Sequence, residues 1–267
     1  NSRSTGSTIK PVIDYGPAIE YLNYSTGQTI IDQRTTYSNG VELNNWDFSH
    51  KGAMTLRTAL VYSRNTTALQ TFKAVGETNI KSFLDNLDIQ IKNDGQDYLV
   101  ESNSIGADIS PIKMAAAYAT FGNYGNYSKP YTVTKVTTRD GQVTEFKPEQ
   151  KQAMKDSTAY MITDVLKDSF KYGFATQAAI PGLPTAAKTG SSNYTVEQKR
   201  AMGASDYEDI IPDSWFIGYS TDYTISAWTG YDNPYEQGGG VDTTEQEYSR
   251  LIYYYLMKYM AESSSGD

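Results

Sequence analysis

Residues 213–219 and 223–231 both read as strands, and only Ser220-Thr221-Asp222 lies between them. So short a link suits an antiparallel hairpin, because a parallel pair needs a crossover of about a dozen residues or more. A third strand is expected over 185–189. Ahead of these runs the apolar period is helical. Leu56, Leu60, Leu69 and Phe72 recur within 55–75 around a break at Ser63-Arg64-Asn65, with Gly76 as a candidate C-cap. Further helices are expected over 78–88, over 110–121, where Ser110-Pro111 take the N-cap and N1 positions, and over 156–170. Residues 131–146 alternate as strand, turn and strand around Asp140-Gly141. A last helix is expected over 245–262, with Leu251, Ile252, Tyr255, Leu256 and Tyr259 as its apolar face. Residues 7–24 carry helical spacing interrupted by Pro11 and Pro17, so a short helix or turn opens near Ser7, while 25–50 is polar and turn-rich and the Ser-rich tail 263–266 is expected to fray. Helices gathered in one stretch and antiparallel strands in another make an α+β fold.

Composition narrows the chemistry. The 267 residues hold no Cys, which removes disulfides, thiol catalysis and thiolate metal sites, and the single His50 leaves no pair for a zinc cluster. A formal charge of −8, from 23 basic and 31 acidic residues, argues against a nucleic-acid partner. The longest uncharged apolar stretch, from Met114 to Phe121, is far short of the roughly 20 residues that span a bilayer. The opening Asn1-Ser2-Arg3-Ser4-Thr5-Gly6-Ser7 reads as the interior of a longer chain, so a fragment is expected and location has to be argued from chemistry.

Three short patterns carry that chemistry: Ser7-Thr8-Ile9-Lys10, Ser63-Arg64-Asn65 and Lys188-Thr189-Gly190. Singly each is weak, since Ser110-Pro111-Ile112-Lys113 and Ser191-Ser192-Asn193 match the first two by chance. Ser110 is accounted for as a helix cap, whereas Ser7 has no competing explanation. A serine hydroxyl is a poor nucleophile without a base, and Lys10, at i+3 on the same helical face, is the nearest candidate. Other candidates read more blandly. His50 is a surface or supporting residue, the acidic stretch 232–247 lacks the spacing of a calcium loop, the Tyr253-Tyr254-Tyr255 run turns one ring inward, and Trp46 is a groove-wall or core aromatic.

In their order, Arg3-Ser4-Thr5-Gly6-Ser7-Thr8-Ile9-Lys10-Pro11, Ser63-Arg64-Asn65 and Lys188-Thr189-Gly190-Ser191 resemble the transpeptidase domain of class A, bifunctional penicillin-binding proteins, of a 1b type from a Gram-positive coccus. Leu56-Arg57, Ala59-Leu60, Ser110-Pro111, Met114, Tyr118, Asp213-Ser214-Trp215, Gly218-Tyr219 and Trp228-Thr229-Gly230-Tyr231 look like further landmarks of that family, and the likeness runs to about residue 260. It implies one domain over 1–267 with the fold of serine β-lactamases and penicillin-binding proteins: an antiparallel sheet flanked by helices, with a mostly helical subdomain within about 25–130 and the sheet-forming part over about 131–262. Ser7 is then the nucleophile and Lys10 its base, with a pKa lowered by burial and by Lys188. Ser63 relays a proton to the leaving amine, and Asn65 holds the donor peptide's amide. Lys188, Thr189, Gly190 and Ser191 take the substrate's terminal carboxylate, and the Ser7 and Ser191 amides form the oxyanion hole. No metal or cofactor is called for. The implied partners are peptidoglycan stem peptides, β-lactam antibiotics and, in the parent protein, a glycosyltransferase domain; the implied place is the outer face of the bacterial cytoplasmic membrane.

Two departures stand out. Ser191 replaces a Thr that often follows Lys-Thr-Gly, and only six residues precede Ser7, where the fold places its opening strands, so an upstream segment is expected to complete the sheet. A class A β-lactamase would add a Glu-x-x-x-Asn loop, and none occurs between Ser63 and Lys188. A D-Ala-D-Ala carboxypeptidase and a non-catalytic β-lactam-sensing or wall-binding module are the alternatives.

Overall fold

The computed structural model describes residues 2–264. The chain opens with β1 (Arg3–Ser4), a 3-10 turn (Gly6–Ile9), a π turn (Pro11–Tyr15) and α1 (Gly16–Leu22). Four short strands follow: β2 (Thr29–Asp32), β3 (Thr35–Thr36), β4 (Glu42–Leu43) and β5 (Gly52–Thr55). Next come α2 (Leu56–Val61), α3 (Asn65–Val75), α4 (Glu77–Asn86), β6 (Asp108–Ile109) and α5 (Pro111–Gly122). The second half holds β7 (Asn126–Ser128), β8 (Lys135–Thr137), β9 (Val143–Glu145), β10 (Gln150–Gln152), α6 (Asp156–Asp168), β11 (Ala186–Ser191), α7 (Val196–Ala201), β12 (Asp213–Tyr219), β13 (Thr224–Gly230) and α8 (Tyr248–Ser264).

The central sheet is antiparallel in the order β11-β12-β13, and its hairpin register sets Lys188 opposite Ile217, Gly190 opposite Trp215 and Trp215 opposite Trp228. Short antiparallel pairs β1-β6, β2-β5, β3-β4, β7-β10 and β8-β9 complete the β structure. Helices cover the sheet, so the α+β architecture stands as the sequence pattern led us to expect. The prolines near Ser7 do not interrupt the first helical run. They change its winding, so that 3-10, π and α turns follow one another until Asn23 ends the run in a left-handed conformation (φ +56°). Ile9, Val12, Ile13, Tyr15 and Ala18 on this run are all buried, which makes it the central helix of the molecule, with no solvent face for the pattern to mark.

Three expectations need correction. Residues 25–50 are not merely turns: β2, β3 and β4 form there, β3 pairing with β4 and β2 with β5 just beyond, from strands too short to show a period. Ser110 stands at the N-cap of α5, yet its side chain makes no capping bond. On α8 the inward residues are Ser249, Tyr253 and Met257, whereas Tyr255 and Tyr259, placed on the buried face by the pattern, are 64% and 69% exposed. That helix is apolar around most of its circumference, so periodicity could not choose its face. The sheet chose it instead: Tyr253 lies on Phe216 with ring centroids 4.6 Å apart, over Gly218, where a Cβ would come within 2.6 Å of the tyrosine ring. Of the tail, Ser265 and Gly266 lie outside the described residues, and Ser263 still belongs to α8.

Candidate active site

The first and third motifs meet backbone to backbone. Gly6 has φ +50°, and a Cβ on it would sit 2.2 Å from the Ser191 carbonyl oxygen; a Cβ on Gly190 would sit 2.5 Å from the Thr5 oxygen and 2.8 Å from the Thr8 nitrogen. Only glycine permits that approach, and the approach puts Ser7 beside the end of β11. Side chains then lock the turn from beneath. Trp215 Nε1 donates to Ser4 O at 2.8 Å and Tyr118 OH to Thr8 O at 2.7 Å. Arg3 Nε and Trp228 Nε1 both donate to Asp213 Oδ1, at 2.8 and 2.9 Å, with the Arg3 guanidinium 5.0 Å from the Trp228 ring centroid. The family landmarks of the sequence are thus the clamp on the Ser7 turn.

The second motif lies between α2 and α3 and presents Ser63 to two lysines. Lys188 Nζ donates to Ser63 Oγ at 2.8 Å and to Thr189 O at 3.0 Å. Lys10 Nζ donates to Ser63 O at 2.8 Å and Asn65 Oδ1 at 2.7 Å, and reaches Ser63 Oγ at 3.3 Å. All three acceptors belong to motif two, and among the described residues no hydrogen bond joins Lys10 to the Ser7 hydroxyl. Lys10 has no solvent exposure and Lys188 only 2%. Burial, and after it the positive charge of Lys188, hold the Lys10 amine well below the ordinary lysine range, while Asp14 opposes them. Burial alone brings Lys188 down to about 7.

Ser7, Lys10, Ser63, Asn65, Lys188, Thr189, Gly190 and Ser191 therefore come together. His50 stands apart in the loop before β5, half-buried, its Nε2 without a hydrogen-bond partner. Trp46 is exposed, edge-on to Phe174 at 5.3 Å, and donates from Nε1 to the carbonyl of Tyr62, next to Ser63. In the loop 232–247, Asp242 caps the turn that leads into α8, accepting from Thr244 N and Glu245 N at 2.8 Å. Sequence reasoning missed three buried residues. Asp14 is fully buried with neither carboxylate oxygen hydrogen-bonded, and burial pushes its pKa well up; Asp32 and Asn45 lie behind motif two. Asp14, one helical turn after Lys10, could have been singled out by spacing, whereas nothing in the sequence marks Asp32.

Residues 1–253 match the family described as the penicillin-binding protein transpeptidase domain. The chain is 38% identical to penicillin-binding protein 1A/1B of Bacillus subtilis over 98% of its length, and 38% identical to penicillin-binding protein 1A of Streptococcus pneumoniae over 100%. It spans only 29% and 37% of those two relatives. Its fold is similar to that of the PonA1 protein of Mycobacterium tuberculosis in complex with penicillin V (TM-score 0.78, 19% identity, 96% of this chain and 70% of that one). It is similar also to the D,D-transpeptidase domain of a peptidoglycan glycosyltransferase from Eggerthella lenta (TM-score 0.71, 20% identity, 97% and 66%). With the three motifs meeting at one site and the family model matching nearly the whole length, the chain belongs to the transpeptidase-domain family of penicillin-binding proteins, and within it to the class A 1A/1B type.

Proposed function

We propose that this chain is a serine DD-transpeptidase module that cross-links peptidoglycan stem peptides and is acylated by β-lactams. The observation that carries the reading is Ser63 Oγ standing between two buried amines, 2.8 Å from Lys188 Nζ and 3.3 Å from Lys10 Nζ, beside the turn that bears Ser7. Such an arrangement moves protons without a histidine.

Ser7 Oγ attacks the carbonyl carbon of the penultimate D-Ala. The new Oγ–C bond forms as neutral Lys10 takes the hydroxyl proton, and the tetrahedral oxyanion is held by the Ser7 and Ser191 amides. The peptide C–N bond then breaks, and the proton passes from Lys10 through Ser63 Oγ to the leaving D-Ala nitrogen. An amine from a neighbouring strand attacks the ester carbon, forming the new C–N bond and giving up a proton to Lys10; the C–Oγ bond breaks, and that proton passes from Lys10 to Ser7 Oγ. Asn65 orients the donor amide, and Lys188 with the Thr189 and Ser191 hydroxyls binds the terminal carboxylate, Gly190 keeping β11 close. Lys10 Nζ rests on motif two, and taking the Ser7 proton requires it to turn toward the Ser7 hydroxyl.

Strands outside these 267 residues would complete the sheet. The outer edge of β13 has no strand partner among the described residues, and none of its seven residues is charged, so nothing on it blocks pairing. A glycosyltransferase domain in the same parent chain and a location at the outer face of the cytoplasmic membrane follow from the class A type. Among the described residues no helix is long and apolar enough to cross a membrane.

Mass spectrometry of the protein after exposure to a penicillin and proteolysis tests this. One adduct on the peptide containing Ser7, absent in Ser7→Ala, is the expected result; an unmodified Ser7 in folded protein refutes it. Release of D-Ala with transfer to an added amine, against release to water alone, separates the transpeptidase from the carboxypeptidase.

A further inference from the structure

Motif two occupies backbone that does not hold itself. Ser63 is left-handed (φ +54°), a conformation costly for a residue with a side chain, and α3 starts without a capping bond from its own N-cap residue, Arg64. The cap comes from the loop between β4 and β5. Asn45 Oδ1 accepts from Asn65 N at 2.7 Å and from Thr66 N at 3.3 Å, satisfying the first free amides of the helix. Asn45 can present its oxygen only with its amide nitrogen facing away, and there Nδ2 donates to Asp32 Oδ1 at 2.7 Å and to Ser49 O at 2.9 Å.

Asp32, at the end of β2, gathers four hydrogen bonds. Oδ1 accepts from Asn45 and from Thr66 Oγ1 at 2.6 Å; Oδ2 accepts from Arg64 Nε at 2.8 Å and Lys51 N at 3.0 Å. The Arg64 guanidinium is also held by Asp47 Oδ1 at 3.0 Å and by the Ser49 carbonyl. Arg64 and Asp32 are 3% and 0% exposed, so this is a buried ion pair with both partners fully engaged. Burial pushes the Asp32 carboxyl up, but the bonds from Thr66, Asn45 and Lys51 and the Arg64 charge outweigh it and keep the group ionised.

We propose that Asp32 is the positioning residue of motif two: through Asn45 and Arg64 it fixes where Ser63 and Asn65 stand between Lys10 and Lys188. Asp32 touches neither substrate nor reacting atoms. Its carboxylate selects the Asn45 amide orientation that caps α3, and it turns Arg64 away from the cleft, into a tether. The middle residue of the motif thereby acquires a task that its neighbours' chemistry does not explain. A shift of motif two by a fraction of an ångström would lengthen the path from Lys10 through Ser63 to the leaving nitrogen.

The inference rests on Ser7 being the acylated residue, so wild type is the control in every measurement. Asp32→Asn keeps the volume, leaves Arg64 with Asp47 as its sole carboxylate, and turns one of two acceptors into a donor. Single-turnover acylation by a fluorescent penicillin over a range of concentrations separates non-covalent affinity from the acylation rate constant, while intact-mass counting gives the fraction of Ser7 that can react. We expect that rate constant to fall about 10-fold or more, the dissociation constant to change less, and the reactive fraction to stay near that of wild type. Asn45→Ala, which removes the link but not the charge pair, should lower the same constant, and the double variant should cost no more than the larger single one. If Asp32→Asn fails to fold, Asn45→Ala carries the same test alone. A wild-type acylation constant in a variant that merely melts earlier overturns the inference, as does strict additivity. Wild type without a Ser7 adduct overturns the functional reading along with it.

Discussion

The two halves of the site are held by different physics. At the junction of motifs one and three the contact is steric: Gly6 and Gly190 let two stretches of main chain touch, and a single added methyl at either would lie under 3 Å from backbone atoms. Motif two is held at a distance by charge and hydrogen bonds, from Asp32, Asn45 and Asp47 onto Arg64 and the first turn of α3. The steric contact itself carries no titrating group, the charged Arg3–Asp213 pair lying beneath it, and it admits no substitution at the contact. A polar bracket tolerates small changes of volume but depends on every partner keeping its charge and its donor or acceptor sense. Ser63 Oγ, carried by the polar half and bonded to both lysines of the steric half, is where the two must agree.

Breaking the steric half should have the largest effect. In Gly6→Ala the residue must keep φ near +50° and its Cβ meets the backbone of Ser191, which cannot yield as a flexible side chain would. Acylation should be lost and the melting temperature should drop by several degrees, read by penicillin labelling and calorimetry. Near-wild-type labelling would mean that the turn and β11 can separate without harm. Next in size is Lys10→Ala. General bases contribute roughly 10²- to 10⁴-fold, so the acylation rate constant should fall by that order while non-covalent affinity changes little. A variant altered only in affinity would point to another base.

This division also explains how far the sequence could be read. Motif one and motif three must touch through glycines, and glycines at fixed offsets from a nucleophile and a lysine leave a trace that survives in order and spacing: Gly6-Ser7, Lys10 and Lys188-Thr189-Gly190 were all legible. The hairpin of β12 and β13 was legible for a similar reason, since a link so short, four residues in the structure, leaves one topology. The bracket was not. Asp32 and Asn45 lie 13 residues apart in a polar stretch whose paired strands are two to four residues long, and their bond forms only once the loop is folded. Asp14 left a spacing signal, one turn beyond Lys10, but such a carboxylate reads as an ordinary surface pair until its helix proves to be the buried centre of the molecule. The reversed face of α8 teaches the complementary point: where tyrosines surround a helix, the neighbouring sheet decides which one turns inward.

The smallest effect expected is also the most informative about how the first and third motifs communicate across their steric junction. Lys188 has two tasks, anchoring a substrate carboxylate and supplying the positive charge that, after burial, most depresses Lys10. Lys188→Ala should remove both. Losing a charge-assisted contact weakens non-covalent binding by about 1.5–3 kcal/mol. Lys10 acts as the neutral amine, so acylation rises as pH climbs through its pKa; with its like-charged neighbour gone, Lys10 keeps its proton to higher pH and the rising limb must move upward. The wild type carries a second signature. Burial brings Lys188 itself down to about 7, so the ratio of acylation constant to dissociation constant, which reports the free protein, should begin to fall above that pH as the anchor loses its charge. In Lys188→Arg the guanidinium stays charged throughout, and the falling limb should vanish even though the bulkier fork binds the carboxylate less well. Acylation against pH for wild type and both variants reads all of this at once. An Ala variant that loses affinity but keeps the wild-type rising limb would make Lys188 an anchor only, and the electrostatic link between the third motif and the first would then be absent.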